Sequence, residues 1–189
     1  MNQGGKLMKK FEKPEFNIAT YDVATNVGKF SIEPLERGFG TTLGNALRRV
    51  LLSSLPGASV FAVEVEGARH EFSSLDGIKE DVTEIILNLK NLVLKIDDDS
   101  EATHKLYIDV QGPAVITAKD IKCESGVSVV NEDLVIAHAN EEGHLVMTIY
   151  ARNGRGYVTA EGNKNKSFPI GMIPTDSNYS PITKVQYDV

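Results

Sequence analysis

The sequence predicts an α+β fold dominated by antiparallel strands. Short apolar stretches recur along the chain, and the loops between them are short and rich in Gly, Asp and Asn. Only two segments carry a helical period, near 42–55 and 78–90. The composition is that of a globular chain: 189 residues, 41 % hydrophobic and 24 % charged. A chain of this size buries roughly 70 % of its unfolded surface, as one domain or two small ones.

The elements follow in order. Residues 16–24 and 27–33, rich in Phe, Ile, Val, Tyr and Thr, read as a hairpin turning at Asn26. The glycine-punctuated turn Leu35–Gly40 leads to Thr41 or Thr42 as a helix cap. In the helix at 42–55, Leu43, Ala46, Leu47, Val50 and Leu51 fall on one stripe, while Asn45, Arg48, Arg49 and Leu52 point the other way. Pro56-Gly57 stops it. A strand at 59–66 places Phe61, Val63 and Val65 on one face, and 68–72 reads as its hairpin partner. The turn 73–77 caps the helix at 78–90, with Ile78, Val82, Ile85, Ile86 and Leu89 inward. Strands are expected at 91–97, 104–110, 113–118, 127–130, 133–138, 144–152 and 182–188, with the acidic run 97–101 as a hairpin tip. Residues 1–9 are expected to be a disordered or extended start. A second expectation is that translation begins at Met8.

Charge and cysteine usage exclude several classes. Lys and Arg number 20 against 26 Asp and Glu, a net charge of −6. A stand-alone nucleic-acid binder normally carries a basic excess. The single cysteine, Cys123, excludes an internal disulfide and a multi-cysteine zinc site. No apolar run approaches the ~18 residues of a membrane helix, and the first thirty residues lack a signal core. A cytoplasmic protein without membrane contact is expected.

Few constellations point to chemistry. Gly38–Gly44 misses the last spacing of a dinucleotide fingerprint and follows a hairpin. There is no phosphate-binding GxxxxGK[ST] and no GxSxG elbow. His70, His104, His138 and His144 are scattered over different predicted strands without metal-ligand spacing. Cys123 sits between Lys122 and Glu124 with no local base. Arg152 and Arg155 on a Gly-rich loop with Tyr157 suit either phosphate or RNA binding, or a hairpin loop paired with acidic groups. Leu52 flanked by Arg48 and Arg49 has the composition of an interface anchor, and equally that of a singly exposed leucine. No cofactor, metal or catalytic residue is predicted.

Several long motifs nevertheless stand in one order. Leu35–Ser54 closely resembles the signature helix of the alpha subunit of bacterial RNA polymerase. His70-Glu71-Phe72-Ser73 is similar to that family's HEFS or HEYS motif, and Glu80–Lys90 to its second helix. Gly154–Tyr157, Pro169–Gly171, Tyr179–Pro181 and Val185–Tyr187 follow in the family's order. The resemblance spans residues 10 to 189.

The resemblance implies two lobes: a dimerisation lobe of antiparallel sheet plus helices, residues 10–56 and 182–189, and a mostly-β α+β lobe, 57–181, inserted into it. It implies a non-catalytic scaffold of DNA-directed RNA polymerase, a nucleotidyltransferase complex. Two copies would form a homodimer, one holding the beta subunit and the other beta-prime. Carried over by position, Arg48, Arg49, Leu52 and the segment His70, Glu71, Phe72 and Ser73 would bind beta. Lys90 would contact a large subunit, with beta-prime the candidate. Leu43, Leu47, Val50 and Leu51 would pack the dimerisation lobe. The family continues past Val189 into a further helix, a linker and a DNA-binding domain. The chain is therefore expected to be a truncated form that exposes the stripe of its first helix, pairs poorly and does not bind DNA directly. The competing functions are a stand-alone nucleic-acid binder using Arg152 and Arg155, and a small hydrolase using Cys123 or a histidine site.

Overall fold

A computed structural model describes residues 12–98, 100 and 102–189. The start at residues 1–9 and the Met8 alternative lie outside the described residues. The fold is α+β and mostly antiparallel, as its alternating stretches predict. Of the described residues, 12–48 together with Gln186–Val189 form one compact unit, and those within Arg49–Val185 the other.

In the first unit, β1 (Glu15–Asp22) pairs with β2 (Val27–Glu33) through a turn in which Asn26 has φ 53°, a left-handed conformation that asparagine tolerates. The register shifts between Ile18 and Thr20. Without that bulge Tyr21 would change face, because side chains alternate along a strand. With it, Phe16, Ile18 and Tyr21 align with Gly28, Phe30 and Ile32, and the polar residues take the other side. Phe16 stacks on Phe30 with ring centroids 5.2 Å apart.

Helix α1 runs Phe39–Ser53, not 42–55, and the boundary between the units falls within it. The Phe39 N–H bonds to the Glu36 carbonyl at 3.0 Å, so the turn itself opens the helix and Thr41 and Thr42 lie inside its first turn. The Tyr187 ring lies directly over Gly44, where any Cβ would collide with it. The stretch 182–188 is not a strand; no partner ladder receives its backbone among the described residues.

The second unit is built on β3 (Pro56–Val65). Helix α2 (Val82–Leu89) follows, then β4 (Leu94–Ile96), β5 (His104–Gln111), β6 (Ala114–Thr117), β7 (Lys122–Cys123), β8 (Val127–Val129), β9 (Val135–Ala139) and β10 (His144–Arg155). The chain closes with β11 (Tyr157–Val158), α3 (Ala160–Asn163), β12 (Met172–Pro174) and β13 (Ser177–Asn178). The main sheet has the order β7-β5-β10-β3-β4-β8, with β12 also on β3; β6 pairs β9 and β11 pairs β13. Its inner face, carrying Val63, Leu106, Ile108, Leu145, Met147 and Ile149, forms the core with α2.

Three segments depart from what their sequence predicts. Phe61 does not share a face with Val63 and Val65. It is the extra residue where the register shifts between Tyr150 and Ala151, so it turns outward with Ala62 to meet Tyr150, Phe168 and Met172. Residues 68–72 form no strand, because β10 occupies one edge of β3 and β4 and β12 the other. Nor is the acidic run 97–101 a hairpin tip, since β3 and β10 separate β4 from β5; Asp99 and Glu101 of that run lie outside the described residues.

Helix α2 is also shorter than 78–90. The Asp81 carboxylate accepts the Glu84 N–H at 2.7 Å and fixes the start at Val82, while Ile78 instead bridges Ala139. Val82, Ile85 and Leu89 are buried, each worth about 1.5–3 kcal/mol of transfer free energy.

Candidate partner-binding surface

The turn at 70–73 is rigid in its backbone and open in its side chains. The Ser73 carbonyl accepts the Val82 N–H at 3.1 Å, satisfying a donor that the first turn of α2 leaves without a helical partner. The Thr83 hydroxyl donates to the Glu71 carbonyl at 2.7 Å. His70 Nδ1 lies 3.3 Å from the Ser73 hydroxyl. Phe72 is nevertheless 78 % exposed, its ring centroid 6.4 Å from that of His70. A phenylalanine held in water by an anchored backbone is suited to insertion into a partner's pocket.

On α1 no residue is buried. Leu47 is 39 % and Val50 52 % exposed, Leu43, Leu51 and Leu52 are half-buried, and Arg48 and Arg49 are exposed. Neither arginine forms an ion pair with a described residue. Among the described residues no hydrogen bond or ion pair joins Arg49 to the 70–73 turn.

Lys90 is engaged within its own unit. Its Nζ lies 2.7 Å from Asp176 Oδ2. Asp176 also accepts the Ala160 N–H at 2.7 Å. The Lys90 bond, then the Ala160 N–H and the Tyr157 hydroxyl, hold the Asp176 carboxyl down at about 2. Lys90 thus presents a half-covered cation with its position fixed from below. Sequence reasoning missed Asp176, because its partner is 86 residues away.

Arg152 is held inside its own unit. Arg152 lies on β10, not in a loop: its guanidinium sits 4.7 Å from the Phe61 ring centroid and donates to the Tyr179 hydroxyl at 3.1 Å and to Asn163 Oδ1 at 3.0 Å. Asn163 passes the network on to the Thr175 carbonyl and the Ser177 hydroxyl. Arg155 alone of the two arginines faces solvent.

Three histidines meet separate carboxylates. His104 lies 3.2 Å from Asp98, His138 2.6 Å from Glu80 and His144 2.8 Å from Asp109. Burial raises the Glu80 carboxyl, but the two hydrogen bonds from His138 outweigh it and the net shift is downward. Among the described residues no three of His, Cys, Asp or Glu converge as metal ligands. Burial pushes the Cys123 thiol up, away from a reactive thiolate. No helix among the described residues is long and apolar enough to cross a membrane.

Compared with known protein families, residues 63–180 match the model of the RNA polymerase Rpb3/RpoA insert domain. The match covers well over half of the chain and lies wholly within the second unit.

Proposed function

Because the chain belongs to the RNA polymerase Rpb3/RpoA insert-domain family, we propose that it is the alpha-type scaffold of a bacterial DNA-directed RNA polymerase, binding beta and beta-prime without contributing a catalytic group. The anchored turn with its exposed Phe72 carries the reading. An aromatic anchor on a rigid backbone loses little entropy on binding. On this reading Arg48, Arg49 and Leu52 of α1, with His70, Glu71, Phe72 and Ser73, receive beta. Lys90, braced by Asp176, meets a large subunit, with beta-prime the candidate. The apolar hairpin face and the α1 stripe of Leu43, Leu47, Val50 and Leu51 belong to a dimerisation lobe of residues 10–56 and 182–189, where a second copy would cover them. The inserted lobe is then 57–181.

The test is capture of the purified beta subunit by the chain and by Arg49→Ala and Phe72→Ala variants whose circular dichroism is unchanged. Truncating a desolvated charged anchor costs about 2–5 kcal/mol, so Arg49→Ala should weaken capture at least tenfold. Phe72→Ala should weaken it similarly. Unchanged affinity in both variants would refute this surface.

A further inference from the structure

The outer face of β3 and β10 carries a cleft of about 420 Å³. Glu64 on β3 and Glu66, the first residue past its end, are two residues apart and fall on one side of the extended chain. Thr148 lies opposite Glu64, and the Val146 carbonyl accepts the Glu66 N–H at 3.0 Å. Leu145, Met147 and Ile149 point into the core, so Val146 and Thr148 line the cleft floor beside the two carboxylates. Ile170, 97 % exposed, and the exposed Arg69 also line the cleft.

The charges of this cleft are unmatched. Among the described residues no cation forms an ion pair with Glu64 or Glu66. Among the described residues the only side-chain hydrogen bond to either carboxylate comes from the Tyr150 hydroxyl, which donates to Glu64 at 3.1 Å. A cation placed between two unpaired carboxylates is attracted by both. An isoleucine bare to water gains from an aliphatic neighbour. An acidic floor also disfavours a nucleic-acid backbone.

We propose that the cleft docks an extended protein segment carrying a Lys or Arg beside an aliphatic side chain, supplied by a large polymerase subunit. The cation would sit between Glu64 and Glu66, and the aliphatic group would rest on Ile170 and Val146. Arg69 would donate to a carbonyl or carboxylate of the same segment. The choice of donor subunit rests on the scaffold reading above.

The test places the photo-crosslinker benzoylphenylalanine at Ile170 of the full chain, assembled with beta and beta-prime. After irradiation, mass spectrometry should map the adduct to a large-subunit segment with Lys or Arg within about two residues of the attachment point. Glu64→Gln together with Glu66→Gln, with unchanged circular dichroism, should lower the yield at least about tenfold. An assembled complex with no adduct would overturn the inference and leave the scaffold reading standing. An adduct to a second copy of this chain, to a segment without a basic residue, or an unchanged yield in the double variant would do the same. Failure of the unsubstituted chain to assemble at all would overturn both.

Discussion

Replacing Asp176 with Asn keeps the shape of the side chain and its bond from the Ala160 N–H, but removes the negative charge facing Lys90. The Asp176 carboxyl sits at about 2 in the fold against an ordinary 3.8. At 1.36 kcal/mol per unit, that difference corresponds to about 2.5 kcal/mol. Part of it belongs to the retained Ala160 bond, and both partners are partly open to solvent, 38 % for Lys90 and 27 % for Asp176, so the share lost with the charge is about 1 kcal/mol. The sign follows from the depressed pKa. The stabilisation is complete above the unfolded value of 3.8 and disappears as pH falls through the folded value of about 2. Urea unfolding followed by far-ultraviolet circular dichroism should therefore show Asp176→Asn less stable by about 1 kcal/mol at pH 7. The difference should shrink toward zero near pH 2. An equal difference at both pH values would refute the electrostatic origin and leave only a shape effect.

Three further outcomes are expected. Ile85→Ala empties a fully buried site between α2 and the sheet and should cost about 2–5 kcal/mol in the same unfolding assay. Gly44→Ala should displace the Tyr187 ring from α1, read as faster carboxypeptidase release of the last residues. Cys123 should react with a disulfide reagent at pH 8 more slowly than free cysteine, because its thiol is raised.

Local chemistry carried most of the architecture. The strands at 104–110, 113–118 and 144–152 are legible because alternation and flanking turns act within a few residues. What local pattern does not encode is who pairs with whom. The 68–72 segment alternates well enough for a strand, yet every edge of β3 near it is already taken. Phe61 reads as inward by alternation alone, and only the bulge against β10 turns it out. The start of α2 depended on choosing Asp81 over the turn at 73–77 as the cap. The candidate site divides in the same way. The 70–73 motif was visible as a motif, and its exposure follows from the backbone anchors to α2. The role of Arg152 was hidden, because its partners Asn163 and Tyr179 lie 11 and 27 residues further along the chain. A basic pair in sequence became one structural arginine and one exposed one.

If the chain is a polymerase scaffold, mixing it with purified beta at micromolar concentration should yield a complex. Light scattering after size exclusion should show a stable complex heavier than beta alone by one copy or two of the 20.6 kDa chain. Separate elution of the two proteins at their individual masses would contradict the account.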